Sequence, residues 1–155
     1  METKEVYLTK AGHEKLQKEY TELTTSGRKN IAERIKTAQA FGDLSENSEY
    51  ADARDQQLFI EGRIAELEHI LKNAQIIDET HTNCTQVNVG CTVHVEVNEG
   101  QMEFKIVGSA EADPENGYIS NESPIGKALL GRKPGDQVEI TVPAGTIKYK
   151  IKKII

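Results

Sequence analysis

Asp43 and Glu46 stand three residues apart in the stretch Gly42-Asp43-Leu44-Ser45-Glu46-Asn47-Ser48-Glu49-Tyr50, where one helical pattern stops and another starts. Two chemistries suit such a pair. One is capping: Asp43 accepts a backbone N–H at the helix start while Glu46 reaches back, at the end of the helix dipole that favours negative charge. The other is a shared divalent cation. Mg²⁺ takes oxygen ligands in octahedral geometry, and one or two carboxylates commonly hold it while water and phosphate oxygens complete the shell. The two readings are compatible if each carboxylate keeps an oxygen for each task. Two carboxylates are nonetheless an incomplete site. On this reading the segment binds Mg²⁺ poorly alone and hydrolyses nothing, but beside another protein's metal it completes a two-metal arrangement.

The flanking pattern must position these groups. After Thr9, a candidate cap, apolar or aromatic residues recur at Leu16, Tyr20 and Leu23, then at Ile31, Ile35 and Ala38, mostly by threes and fours, which is one helical stripe. Thr24-Thr25-Ser26-Gly27 are poor helix formers within it, so a bend or local irregularity is expected there. A second arm carries Tyr50, Ala53, Gln57, Ile60, Ile64, Leu67 and Leu71 at coiled-coil spacing. The reversal between the arms is too short for anything but antiparallel packing. An arm of about 30 residues extends roughly 45 Å, so the tip, residues 41–47, is expected to be exposed.

After a polar linker over 77–83, the period changes to two. Val87, Val89, Cys91, Val93, Val95 and Val97 read as a strand bent at Gly90, and Asn98-Glu99-Gly100-Gln101 turns the chain into a second strand through Met102, Phe104 and Ile106. Asp113-Pro114-Glu115-Asn116-Gly117 is a further turn signal. Ser123-Pro124, followed by Gly131, brackets one short helix. Strands over 138–142 and 147–151 complete a small sheet that this helix covers. The fold class is therefore α+β, with a helical hairpin over 1–76 and a sheet domain over 84–155.

Charge narrows the partners. The formal net charge is −6, with 11 basic and 14 acidic residues up to Ile76 and 8 and 11 after it, so neither half is a basic clamp for nucleic acid. A protein partner is the better expectation, with any RNA contact local. The N-terminus has no apolar run of signal or membrane length, which makes the cytoplasm the default. Cys84 and Cys91 are read as reduced thiols.

The tip sequence GDLSENSEY, with Ala53-Arg54-Asp55-Gln56-Gln57 after it, is similar to the tip and descending arm of the bacterial GreA/GreB transcript-cleavage factors. YLTKAGHEKLQKE resembles the family's opening, and ISNESPIGKALLGRKPGDQVEITVPAGTIKYKIKKI its C-terminal signature. The resemblance spans nearly the whole chain. It implies a coiled-coil hairpin that enters the secondary channel of RNA polymerase, and an FKBP-like antiparallel β domain, with one short helix, that docks at the rim. Asp43 and Glu46 would help hold an Mg²⁺ shared with the polymerase and position water, so that the polymerase cleaves backtracked RNA. The factor, a monomer, would not be an enzyme itself and would hold no metal tightly alone.

Within the family, the acidic hairpin without a dense basic patch is most like the GreA branch. Arg54 matches a position that is basic in the family and would contact the RNA 3′ segment; an intrahelical pair is its alternative. Many relatives carry Arg where this chain has Gln39, and Arg28, Lys29, Arg34 and Lys36 either compensate or form a solvated face. Tyr50 could stack on a base, but its seam position favours packing.

Three alternatives are set against these expectations. A channel-binding relative that blocks cleavage or modulates initiation would share the fold and differ at the tip. An FKBP-type prolyl isomerase would need an apolar aromatic pocket, and Phe104, Tyr118 and Tyr149 are its only candidate rings. A zinc site from His81, Cys84, Cys91 and His94 conflicts with strand parity, which sends Cys91 and His94 to opposite faces.

Overall fold

In the computed structural model, residues 5–43, 46–78, 84–98 and 100–155 are described. Leu44 and Ser45 of the reversal, linker residues 79–83 with His81, and Glu99 of the strand turn lie outside them. The chain divides into two compact units, Glu14–Lys72 and Met1–His13 with Asn73–Ile155. The sequence boundaries of 1–76 for the hairpin place the first thirteen residues with the helices. They group instead with the sheet, because β1 (Val6–Thr9) pairs in parallel with β2 (Ala74–Ile77), Val6 opposite Ala74.

In the helical unit, α1 (Lys10–Glu22) continues through a π-helical turn over Leu23–Gly27 into α2 (Arg28–Gln39), and α3 (Ser48–Asn73) returns. The irregularity expected at Thr24–Gly27 is this π turn. Its cause is local: the hydroxyls of Thr24, Thr25 and Ser26 donate to the carbonyls of Tyr20, Thr21 and Glu22 one turn back, competing with the regular ladder. The turn also repairs the stripe. Leu23 and Ile31 are eight positions apart (31 − 23), whereas two α turns span about 7 residues, and the π turn absorbs the surplus.

Leu16, Ile31, Ala38, Ala53, Ile64 and Leu67 are buried along the seam. Charged pairs cross it in antiparallel order. Tyr20 donates to Glu68 at 2.9 Å, Arg28 pairs with Glu61 at 2.7 Å, and Arg34 with Glu49 at 2.6 Å. Nearer the base, Arg63 holds Glu19 and Glu66, each at 2.7 Å. Arg28 and Arg34 therefore lace the arms together.

In the other unit, a five-stranded sheet has the order β5-β4-β3-β7-β6, formed by β3 (Thr92–Val97), β4 (Gly100–Val107), β5 (Tyr118–Ser120), β6 (Gln137–Val142) and β7 (Gly145–Ile154). The β3–β4, β3–β7 and β6–β7 pairs are antiparallel, while β4 and β5 run parallel. The sheet is thus mixed rather than wholly antiparallel. The chain between β4 and β5 passes through two 3₁₀ turns and Gly117 in the left-handed region (φ 81°), and it re-enters in the same direction. Val93, Val95, Ile106 and Ile151 form the inner face, on which α4 (Pro124–Leu129) sets Leu129. The α4 cap is as expected, with Ser123 Oγ accepting from Gly126 N–H.

Cys84 and Cys91 are joined by a disulfide, which corrects the expectation of free thiols. Compartment rules do not see proximity. Gly90, at φ +96°, folds the 84–91 segment back so that the two thiols meet. Both thiols are thereby spent, and His94 Nδ1 lies 3.4 Å from Glu103, so the zinc set is not assembled from the described residues. Phe104 and Tyr149 are buried edge to face, centroids 6.0 Å apart, so these two rings serve the core. No helix among the described residues is long and apolar enough to cross a membrane.

Thr9 caps α1, its hydroxyl accepting from Gly12 N–H at 3.0 Å, and Glu111 grips Thr9 through both its N–H (2.6 Å) and its hydroxyl (2.5 Å). A Cβ on Gly108 would fall 1.6 Å from the Tyr7 carbonyl oxygen. Gly108→Ala must force β1 away from this loop, and we expect a loss of about 3 kcal/mol in urea unfolding. A change near zero would show that β1 is not held there. The arms also predict a pH response. Hydrogen bonds from Arg63, Arg34 and Arg28 lower the pKa values of Glu19, Glu49 and Glu61 below the ordinary 4.5. Their contribution is therefore complete above pH 4.5 and fades as pH falls below it. Helical thermal stability should drop in that window, and less so in a Glu19→Gln, Glu49→Gln, Glu61→Gln variant.

Candidate functional site at the hairpin tip

The α2 helix ends in an ordinary C-terminal turn, with Ala40 N–H donating to Thr37 O and Phe41 N–H to Ala38 O, both at 3.2 Å. Gly42 follows at φ +110°, a conformation L side chains rarely adopt, and it turns the chain toward Asp43. Asp43 and Glu46 are both exposed.

The cap of α3 falls to neither of them. The helix begins at Ser48, and Asn47 is its N-cap: Asn47 Oδ1 accepts from Tyr50 N–H at 3.1 Å, and Asn47 O accepts from Ala51 N–H at 3.1 Å. The same side chain donates from Nδ2 to Ala38 O at 2.7 Å. One amide therefore satisfies a donor at the start of α3 and an acceptor at the end of α2. The capping box expected at Asp43 and Glu46 is corrected accordingly, since both carboxylates precede the cap and stand just outside the positive end of α3.

The next turn adds Glu49, whose carboxylate is held across the seam by Arg34, while Arg34 Nη1 also donates to Gln56 at 2.5 Å. The Arg34 hydrogen bond holds the Glu49 carboxyl below its usual range. Arg54 is exposed on α3, and its Nη1 donates to Gln57 Oε1 at 2.6 Å. Its intrahelical partner is thus an amide, and the guanidinium charge is not neutralised by that contact. Tyr50 is half-buried at the seam, beside the fully buried Ala53.

Asp43 and Glu46 stand exposed on either side of Leu44 and Ser45, which lie outside the described residues, and Arg54 lies farther down α3. Sequence reasoning missed Asn47 because Asp43, Ser45, Asn47 and Ser48 are all competent caps, and spacing alone does not choose among them.

The family model described as transcription elongation factor, N-terminal, matches residues 6–76, and that described as transcription elongation factor, GreA/GreB, C-term, matches 81–155. The chain belongs to the GreA/GreB family. It is 58% identical over 154 residues to transcription elongation factor GreA of Thermoanaerobacter pseudethanolicus, covering 98% of each chain. It is 54% identical to GreA of Acetivibrio thermocellus, covering 97% of this chain and 96% of that one. Among solved structures, GreA factor homolog 1 (Gfh1) of Thermus thermophilus is 31% identical, covering 98% of this chain and 99% of that chain, with a TM-score of 0.41. This member of the GreA/GreB family is accordingly a GreA-type transcription elongation factor.

The double role of Asn47 can be separated by substitution. Asn47→Ala removes both contacts and should cost the hairpin about 1–2 kcal/mol. Asn47→Asp keeps the cap acceptor but cannot donate to Ala38 O, so its loss should be smaller. Urea titrations followed by helical circular dichroism read both, and equal losses would mean that the bridge to Ala38 carries the whole effect.

Proposed function

We propose that the chain acts in the cytoplasm, as a monomer, on bacterial RNA polymerase. In this reading the hairpin enters the secondary channel, and Asp43 and Glu46 reach the polymerase active site, where the polymerase then cleaves backtracked RNA. The observation that carries this reading is the exposure of both carboxylates at the reversal, ahead of a helix capped by a neutral amide.

The donor set suits Mg²⁺ in part. Carboxylate oxygens are the hard ligands it prefers, and two of them leave most of an octahedral shell to water, phosphate and the partner. No group of three or more His, Cys, Asp or Glu side chains suited to a metal occurs among the described residues, so the chain by itself offers only this fragment. Magnesium held there would supply charge neutralisation at the phosphate under attack. The chain's own part is to present two negative groups at the helical reversal, and to accept hydrogen bonds from the attacking water. Arg54, with its charge not neutralised by Gln57, is suited to a phosphate of the displaced RNA.

The sheet domain and the hairpin base carry the docking in this scheme, so chemistry and affinity should separate. In a stalled, backtracked elongation complex with Mg²⁺, the wild-type chain should release short 3′ RNA fragments. Asp43→Ala with Glu46→Ala should abolish that release while polymerase affinity changes less than about twofold. Absence of cleavage with the wild type would favour a channel-binding relative that does not activate hydrolysis. Full cleavage by the double variant would refute the role of the carboxylates.

A further inference from the structure

The tip presents one aromatic ring that neither the seam nor the capping scheme uses. Phe41 is 77% exposed, yet its backbone is held, its N–H bonded to Ala38 O at 3.2 Å in the last turn of α2. The ring is therefore offered to solvent from an ordered helix end, two residues before Asp43. Tyr50, the other aromatic near the reversal, is half-buried.

The charges around the ring restrict what it can meet. From Thr37 to Ala53 the chain carries Asp43, Glu46, Glu49 and Asp52 and no Lys or Arg. The cations that bracket this stretch are Lys36 and Arg54, both exposed, at five and thirteen positions from Phe41, while Arg34 is engaged by Glu49 and Gln56. Phosphate contacts are thus left to residues outside the stretch, such as Arg54, and beside Phe41 itself no cation draws the strand. The remaining sequence-tolerant contact is stacking, because every base has a π face that an uncharged ring can cover.

We propose that Phe41 stacks on a nucleobase at the 3′ end of the RNA, and so positions the terminal nucleotide beside Asp43 and Glu46. The inference rests on the proposed function, which brings the tip to that RNA end. An apolar pocket of the polymerase is the competing occupant for the same ring. The two differ in one respect: stacking depends on the base, and a protein pocket does not.

The test uses the full chain at saturating concentration with reconstituted backtracked elongation complexes whose 3′-terminal nucleotide is adenosine or a stable abasic residue. The wild type should cleave the adenosine complex on the order of tenfold faster than the abasic one. Phe41→Ala should lower the adenosine rate to the abasic rate and leave the latter unchanged, and Phe41→Trp should retain the difference. Thermal melts should match the wild type, since the ring is exposed. Equal slowing of both complexes by Phe41→Ala would assign the ring to a protein pocket and overturn stacking, as would no effect on either. A wild type that cleaves neither complex would instead overturn the proposed function, and this inference with it.

Discussion

The tip depends on the amide of Asn47. A helix start exposes N–H groups and a helix end exposes carbonyls, and a tight reversal between antiparallel helices puts both kinds of unsatisfied group in the same few residues. An amide is the side chain that carries a donor and an acceptor together. Asn47 uses both, accepting from Tyr50 N–H and donating to Ala38 O. A carboxylate at that position could take the first role only. Because the amide is neutral, the cap adds no charge to a stretch that already contains four acids and no Lys or Arg. Asp43 and Glu46 can then stand ahead of the helix, where its dipole moderates their mutual repulsion.

Below the tip, the arms are held by two kinds of contact of unequal weight. Each buried Leu or Ile of the seam contributes about 1.5–3 kcal/mol, whereas an exposed ion pair contributes about 0–1. Leu16, Ile31, Ile64 and Leu67 therefore dominate the stability. The ion pairs Arg28–Glu61 and Arg34–Glu49 instead select the register, since a slide of one turn would set Arg28 opposite Gln57 or Ala65 and break the pairing. Toward the reversal the buried seam residues shrink to Ala38 and Ala53, which let the helices approach but bury little apolar area. The hairpin is thus weakest where its chemistry lies, a gradient expected to give the tip the lowest local opening free energy.

Much of this was legible in the sequence because it is periodic or local. The helical stripes, the two-residue alternation of β3 and β4, the Thr9 and Ser123 caps, and the irregularity at Thr24–Gly27 each follow from neighbours within one or two turns. What escaped depends on contacts distant in sequence or on competition between equals. The β1–β2 pairing joins residues 68 positions apart (74 − 6), and nothing in Val6-Tyr7-Leu8-Thr9 names its partner. The parallel entry of β5 depends on the path of the 108–117 loop, and the disulfide on the fold-back at Gly90. At the site, the exposure of Asp43 and Glu46 at the reversal was readable. The cap was not, because several adjacent residues could have supplied it.

The grip of Glu111 on Thr9 shows how one end of the hairpin is defined. Thr9 is 4% exposed, and its hydroxyl both donates to Glu111 and accepts from Gly12 N–H, so the first turn of α1 is fixed to the 3₁₀ turn at 109–111. Gly12 leaves room for this carboxylate, since a Cβ there would fall 2.1 Å from Glu111 Oε1. The far end is defined by Asn47 in a comparable way, a side chain closing backbone groups that no helix can close for itself. Between these two ends a π turn corrects the phase of the stripe. The acidic pair can therefore be held at the reversal without a second core at the tip. Its chemistry then has to be completed by whatever the tip enters, because two carboxylates supply only part of an Mg²⁺ shell.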